Sequence, residues 1–195
     1  MNTAPGTVDV VVFLCRHGQT PLNAENRLRG LSDPPLTDVG QAEASALATE
    51  LADRRPTVVV SSPMRRAIAT AQAIAAAAHV RVVADQRLLD RDYGAQSGRL
   101  ESAVIEEFGS IDSAPGVESM DHLIERARVG FQQLVDEFGP GPLVLVAHDA
   151  INRALLADLD PTLTGLAQPT GCWNKLVHSD GAWHVELYDQ KPSAS

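Results

Sequence analysis

Residues 10–23 read VVVFLCRHGQTPLN, and this stretch decides the fold that we predict for the chain. Its first half is apolar and rich in β-branched side chains, which is typical of a buried strand. The strand ends at Arg16, His17 and Gly18, so a cation and an imidazole follow it directly. In open α/β sheets, ligands bind beyond the carboxyl ends of the strands. The stretch therefore predicts that Arg16 and His17 face a crevice, in which Gly18 leaves room for a bound group.

Two further predicted strands end in the same kind of chemistry. The apolar run 143–147 leads into His148, and the run 57–61 is followed by Arg65 and Arg66 at the start of a predicted helix. Parallel strands deliver these side chains to one edge of one sheet, where helix N-termini add unpaired N–H groups. Guanidinium groups match phosphate oxygens in a bidentate manner. Two imidazoles beside several guanidiniums therefore predict a site for a phosphoryl group.

Strand-like and helix-like segments alternate along most of the chain, which predicts an α/β fold. We expect a three-layer αβα sandwich in a single domain over residues 1–195, with a mostly parallel sheet and an antiparallel edge. The predicted strands are 8–15, 57–61, 80–84, 143–147, 173–177 and 183–188, and the predicted helices are 38–54, 63–78, 119–138 and 149–158. The last two strands are joined too closely for a crossover, so they are predicted to pair antiparallel at a sheet edge.

Helix boundaries and faces follow from capping residues and apolar spacing. Thr37 is predicted to cap the helix 38–54, and Ser62 to cap the helix 63–78. The apolar positions of the first helix are Val39, Ala42, Ala46 and Leu47. Those of the helix 119–138 are Leu123, Ala127, Phe131 and Leu134.

Composition limits the partners and the compartment. The chain has 16 Lys and Arg against 25 Asp and Glu, a formal net charge of −9, which argues against a nucleic-acid partner. Cys15 and Cys172 are too few for a disulfide framework or a metal cage. The N-terminus has no basic segment before an apolar run, and no apolar run has membrane-spanning length, so we expect a cytoplasmic protein without a membrane partner. The oligomeric state is left open, and a homodimer is compatible with the sequence.

Other phosphate chemistries have little support in the sequence. The P-loop pattern GxxxxGK[ST] is absent, and so is HExxH. Cys15 is followed directly by Arg16 and lacks the loop of a cysteine phosphatase, so we interpret it as a strand residue. We expect no metal and no cofactor.

The order of these motifs resembles the histidine phosphatase superfamily, the phosphoglycerate mutase-like proteins. The segment 15–20 with Asn23 resembles the signature RHG[EQ]T…N of that family. The resemblance continues through Arg27, Gly30, Asp33, Pro35, Leu36, Thr37, Gly40 and Ala42, the segment 61–67 (SSPMRRA) with Thr70 and Ala71, the segment 89–94 (LDRDYG), and the segments 146–148 and 153–155. It covers nearly the whole chain and implies a phosphoglycerate mutase-like fold.

The resemblance also implies roles for individual residues. By analogy, His17 is the nucleophile that forms a phosphohistidine, which water then hydrolyses. Arg16, Asn23, Arg66 and His148 would surround the phosphoryl oxygens and stabilise the transition state. Arg66 matches the motif arginine, which leaves its neighbour Arg65 as a solvated helix residue.

The proton donor of the family is usually a glutamate, and Asp90 occupies that position here. Asp92 and Glu101 are weaker candidates, because both are interpreted as surface charges. The expected catalytic residues are therefore His17, Asp90 and His148.

Two residues depart from the family pattern. Asp149 follows the second histidine, where glycine is usual, and three roles are open for it: capping the next helix, which we favour, donating a proton, or repelling substrate. Arg29 stands where glutamine is common. It could add a cation at the pocket mouth and favour a substrate with a second anionic group.

The cofactor-dependent mutases of the family that this chain resembles tend to be longer, with an insertion between the acid and the second histidine. The interval between Asp90 and His148 is compact by comparison, which leaves less chain to cover the pocket and favours attack by water on the phosphohistidine. We therefore predict a phosphatase that hydrolyses a small phosphorylated metabolite. Two alternatives stay open: a cofactor-dependent phosphoglycerate mutase, and a phospholigand-binding regulatory protein that has lost turnover.

Overall fold

The computed structural model describes residues 10–192, and the six strands in that range lie in one sheet. Their order across the sheet is β3-β2-β4-β1-β5-β6. The strands are β1 Val10–Arg16, β2 Val58–Ser61, β3 Val82–Ala84, β4 Leu143–Ala147, β5 Trp173–Ser179 and β6 Ala182–Gln190. The first four pair parallel, whereas β5 and β6 pair antiparallel at one edge. The predicted fold class is confirmed, while residues 8 and 9 of the predicted first strand lie outside the described range.

Six α-helices cover this sheet or connect its strands within the described range. They are α1 Pro21–Ala24, α2 Asp38–Ala52, α3 Arg65–Ala78, α4 Glu101–Phe108, α5 Met120–Phe138 and α6 Asp149–Leu159. Thr37 caps α2 as predicted, since its side chain accepts a hydrogen bond from the Gly40 N–H at 3.1 Å. No helix in residues 10–192 is both long enough and apolar enough to cross a membrane.

The two faces of the sheet bury different helices because side chains alternate along a strand. Val12 and Leu14 of β1 pack with α5 and α6, and the four predicted apolar positions of α5 are all buried there. Phe13 and Cys15 point to the opposite face and pack with α2 and α3. The result is the expected three-layer arrangement.

Two helix predictions are wrong in detail. The buried face of α2 is formed by Gly40, Ala44, Leu47, Ala48 and Leu51, whereas Val39 and Ala42 are exposed. The helix α3 begins at Arg65 with Met64 as its cap residue, and no side chain caps it. The Ser62 hydroxyl instead lies 2.8 Å from Nε2 of His148, so it is committed to the site rather than to the helix.

The register of the central strands aligns their carboxyl ends. Arg16 lies opposite Ala147, and Ser61 lies opposite Val146. The first residues beyond the strands are then held by the sheet itself, because the His17 N–H donates to the Ala147 carbonyl at 3.1 Å. His17 and His148 therefore emerge side by side at one sheet edge.

Gly18 is required for a reason other than the one that the sequence suggests. A Cβ atom at Gly18 would lie 2.3 Å from the carbonyl oxygen of Gly40, in the first turn of α2. A Cβ atom at Gly40 would lie 2.1 Å from the Gln19 carbonyl oxygen. The two glycines thus let the loop after β1 lie directly against α2, and this contact fixes the backbone that carries His17.

Candidate active site

Four side chains meet beyond the carboxyl ends of β1, β2 and β4, and we call them the inner cluster: His17, Arg66, Asp90 and His148. All four are buried, with exposed fractions of 0 to 2%. The two imidazole rings lie 5.1 Å apart between centroids. The strand ends, the start of α3 and the loop that carries Asp90 thus bring together the three expected catalytic residues and two of the expected phosphate ligands, Arg66 and His148.

The orientation of His17 defines which of its ring nitrogens carries a proton. Nδ1 lies 2.6 Å from the Gly18 carbonyl oxygen, which can only accept, so Nδ1 is the donor. Nε2 then has a free electron pair, and it accepts a hydrogen bond from Nε of Arg66 at 3.2 Å. Burial, followed by the charges of Arg66 and Arg16, lowers the pKa of His17 well below 6.5. His17 is therefore neutral at physiological pH, with Nε2 available as a nucleophile.

Arg66 links the nucleophile to the carboxyl group of Asp90. Its Nη2 donates to Oδ2 of Asp90 at 2.9 Å and to the Gly30 carbonyl at 2.9 Å. Burial, together with the charge of Asp149, raises the pKa of Asp90 to about 6. A carboxyl group with this pKa exchanges a proton near neutral pH, as a general acid must.

His148 is held by one partner that the sequence analysis assigned elsewhere. Its Nε2 lies 2.8 Å from the Ser62 hydroxyl, and its Nδ1 lies 3.5 Å from Oδ2 of Asp90. Burial, then the charge of Arg66, lowers the pKa of His148 well below 6.5. Ser62 was missed as a site residue because a serine before proline at a helix start is equally typical of a cap.

A second group of side chains surrounds Asp149, and we call it the outer cluster: Arg16, Arg29, Asp149 and Arg153. Oδ2 of Asp149 lies 2.7 Å from Nη2 of Arg29, 3.5 Å from Nη2 of Arg16 and 3.9 Å from Nη2 of Arg153. Arg16 also donates from Nη1 to the Gln168 carbonyl. The two residues that depart from the family pattern, Arg29 and Asp149, are thus ion-paired with each other.

This pairing corrects the role that we favoured for Asp149. The cap residue of α6 is His148, and Asp149 is the first residue of the helix. Burial would raise the pKa of Asp149, but the charges of Arg16 and Arg29 outweigh it and hold that pKa below its usual range. A carboxylate that stays ionised is unsuited to donate a proton, which leaves Asp90 as the better donor. Arg29, in turn, is a neutralised cation.

Asn23 lies apart from the inner cluster, in the short helix α1 that follows β1. Its Oδ1 accepts from the Thr20 N–H at 2.9 Å and from the Thr20 hydroxyl at 2.7 Å. These bonds orient the amide so that its NH₂ group is left to donate. Asn23 and Arg16 both line a cavity of about 580 Å³ beside the outer cluster.

The remaining candidate residues lie at the surface. Arg65 is exposed, as predicted, and so are Asp92 and Glu101. Oδ1 of Asp92 accepts from the Gly94 N–H at 2.8 Å, and Glu101 lies at the start of α4. Within residues 10–192, no group of three or more His, Cys, Asp and Glu side chains is arranged to hold a metal ion.

Comparison with known proteins matches the sequence of this chain to a family. A model of the histidine phosphatase superfamily (branch 1) matches residues 12–191. Phosphoserine phosphatase 1 of Hydrogenobacter thermophilus is 36% identical over 160 residues, which cover 77% of this chain and 76% of that protein. The probable phosphoglycerate mutase GpmB of Escherichia coli is 34% identical over 148 residues, or 70% and 68% of the two chains.

A solved structure of a phosphatase has the same fold as this chain. The native structure of a mycobacterial glucosyl-3-phosphoglycerate phosphatase superimposes with a TM-score of 0.83 at 27% identity. The superposition covers 94% of this chain and all of the other. The inner and outer clusters both lie within the range that the family model matches.

Proposed function

The chain belongs to branch 1 of the histidine phosphatase superfamily, and on that basis we propose that it hydrolyses a small phosphorylated metabolite through a phosphohistidine on His17. Relatives named as phosphatases support phosphatase activity in general. The observation that carries the finer proposal is the geometry of His17, whose Nδ1 proton is fixed on the Gly18 carbonyl and whose Nε2 is unprotonated.

In the first step, Nε2 of His17 attacks the phosphorus atom and the bond from phosphorus to the ester oxygen breaks. Asp90, protonated before the reaction, gives its proton to the departing oxygen, so that the product leaves as an alcohol. Arg66 is already within hydrogen-bond distance of Nε2 and of Asp90, so its guanidinium lies where negative charge develops. Arg16, His148 and the NH₂ group of Asn23 supply the remaining contacts to the phosphoryl oxygens.

In the second step, water attacks the phosphohistidine. The water oxygen bonds to phosphorus, the P–N bond breaks, and the water proton goes to the carboxylate of Asp90, which restores the starting state. The same carboxyl group therefore acts first as acid and then as base, and its pKa of about 6 suits both roles.

The test is phosphate release from a panel of phosphorylated metabolites, with chelator present, for the wild type and His17→Ala. Removing the nucleophile is expected to lower kcat by about 10³-fold or more. The control is His184→Ala, which removes an exposed histidine on β6 and is expected to retain wild-type activity. Labelled phosphate should be trapped on the wild type after alkaline quenching and be absent from His17→Ala. Turnover by His17→Ala at the wild-type rate would contradict the proposal.

A mutase is the second candidate, because one relative is named as a probable phosphoglycerate mutase. Incubation with 3-phosphoglycerate and a catalytic amount of 2,3-bisphosphoglycerate distinguishes the two. Accumulation of 2-phosphoglycerate without free phosphate would favour the mutase. Binding of phosphorylated ligands without either product would favour the turnover-deficient regulatory protein.

A further inference from the structure

The cavity beside the outer cluster is the space that a leaving group would occupy, and its walls are mixed. Its volume of about 580 Å³ exceeds what a three-carbon acid needs. Its apolar lining comes from the segment after α1, from α4, from the segment between α4 and α5, and from α5, namely Leu28, Ile105, Ile111, Met120 and Leu123. The guanidiniums and the carboxylate of the outer cluster also line it.

Each of the four arginines that line this cavity is paired with a carboxylate. Arg16, Arg29 and Arg153 share Asp149, and Arg91 lies 2.7 Å from Asp112. Arg29, the residue that could have attracted a second anionic group, is 8% exposed and makes the shortest of the three contacts to Asp149. The cavity therefore presents no free buried cation among the residues that the structure describes.

The charge balance of the buried groups leads to the same conclusion. Arg16, Arg29, Arg66 and Arg91 carry four positive charges, and Asp90, Asp149 and Asp112, the partner of Arg91, carry up to three negative charges. A phosphoryl dianion more than balances the remaining positive charge when all three aspartates are ionised, and balances it evenly when Asp90 is protonated. A second anion on the leaving group would then find no uncompensated buried guanidinium, since the other arginine of the cavity wall, Arg153, is exposed, and burying that anion would be costly.

We propose that Asp149, neutralising Arg29 in the wall of this cavity, makes the enzyme selective for phosphomonoesters of uncharged leaving groups, such as alcohols, polyols or sugars. Substrates with a second carboxylate or phosphate are disfavoured by the same residue. This selectivity rests on the proposed phosphatase function and specifies the substrate of that site.

Three substrates with the same three-carbon skeleton test the proposal: glycerol 3-phosphate, 3-phosphoglycerate and propyl phosphate. Glycerol 3-phosphate ends in a hydroxymethyl group, 3-phosphoglycerate has a carboxylate in its place, and propyl phosphate has no hydroxyl group. We expect the wild type to have a kcat/KM for glycerol 3-phosphate and for propyl phosphate about tenfold above that for 3-phosphoglycerate, a difference of about 1.4 kcal/mol. Equal or faster turnover of 3-phosphoglycerate would overturn the proposal.

The variants identify the residue responsible. Asp149→Asn frees Arg29 and is expected to lower the preference for glycerol 3-phosphate over 3-phosphoglycerate by about tenfold. Adding Arg29→Gln to Asp149→Asn should cancel the gain for 3-phosphoglycerate. The control, Asp136→Asn, removes an exposed carboxylate on α5 that does not line the cavity and should change the ratio less than twofold. An unchanged ratio in Asp149→Asn would overturn the proposal.

A binding measurement separates this proposal from the proposed function. The affinities of His17→Ala for the three phosphates, measured by calorimetry, report selectivity even in the absence of turnover. If no substrate releases phosphate but glycerol 3-phosphate binds about tenfold more tightly than 3-phosphoglycerate, the hydrolytic mechanism fails and the selectivity stands. Equal affinities would overturn the selectivity, whatever the rates.

Discussion

The inner and outer clusters each place a buried aspartate beside arginine, yet the two carboxyl groups behave oppositely. Asp90 contacts one guanidinium, that of Arg66 at 2.9 Å, and its pKa is raised to about 6. Asp149 has three guanidiniums within 3.9 Å, and its pKa is lowered. Burial opposes ionisation at both positions. At Asp149 the nearby guanidiniums outweigh this effect, whereas at Asp90 the charge of Asp149 adds to it. One aspartate can exchange a proton, whereas the other is a fixed charge.

The largest expected effect comes from removing the exchangeable proton. Asp90→Asn should lower kcat for an alkyl phosphate by about 10²–10⁴-fold, since the departing alkoxide would have no proton donor. The loss should be much smaller for 4-nitrophenyl phosphate, because its leaving oxygen is stable without a proton. Steady-state kinetics with both substrates measures this difference.

The outer aspartate provides the control for that experiment. Asp149→Asn removes a carboxyl group that is buried to a similar extent. At a pH low enough to keep Asp90 protonated in both proteins, it should lower the rates for the alkyl and aryl phosphates by the same factor. If Asp149→Asn showed the leaving-group dependence and Asp90→Asn did not, the assignments of the two carboxyl groups would be reversed.

A smaller effect is expected on the free energy of unfolding when the charge of Asp149 is removed. Asp149→Asn leaves Arg29 buried without its carboxylate, which should lower the free energy of unfolding by roughly 3 kcal/mol at pH 7. The double variant Asp149→Asn/Arg29→Gln removes both charges and should regain part of that loss. Urea unfolding of the three proteins measures the coupling.

The pH dependence of this coupling has a defined sign. Because the pKa of Asp149 is lowered in the folded protein, its contribution is fully present above about pH 4, the value for an unfolded aspartate, and declines as the pH falls below it. Single and double variants that are equally stable at pH 7 would contradict the ion pair.

Local patterns were sufficient to predict much of the inner cluster. An apolar run that leads into a histidine predicts both a buried strand and the side chain that follows it. This is the case for β1 with His17 and for β4 with His148. The α5 face was also predictable, because large apolar residues there alternate with charged ones. The α2 face was not, since alanine and glycine form most of its buried surface and alanines also lie on its exposed side.

The outer cluster could not be predicted in the same way. Arg29 and Asp149 are each visible as departures from a family pattern, but they are 120 positions apart, and only the folded sheet brings them together. Each residue considered alone suggested a separate role, a free cation or a helix cap. Their pairing changes both interpretations, and it depends on the path of the loop after β1, which the sequence pattern does not specify.

The smallest expected effect is a shift in the pH profile, and it measures how strongly the two clusters interact. The proton donor must be protonated, so kcat for glycerol 3-phosphate should fall about tenfold per pH unit above the pKa of Asp90, which is about 6. The charge of Asp149 raises this pKa, whereas that of Arg29 lowers it. Asp149→Asn removes the negative charge and leaves Arg29 unpaired, and both changes lower the pKa of Asp90. The fall in rate should therefore begin at lower pH. Profiles from pH 4.5 to 8 for Asp149→Asn and the control Asp136→Asn measure the shift. A profile that moves to higher pH would mean that Asp149 does not act on the donor through its charge.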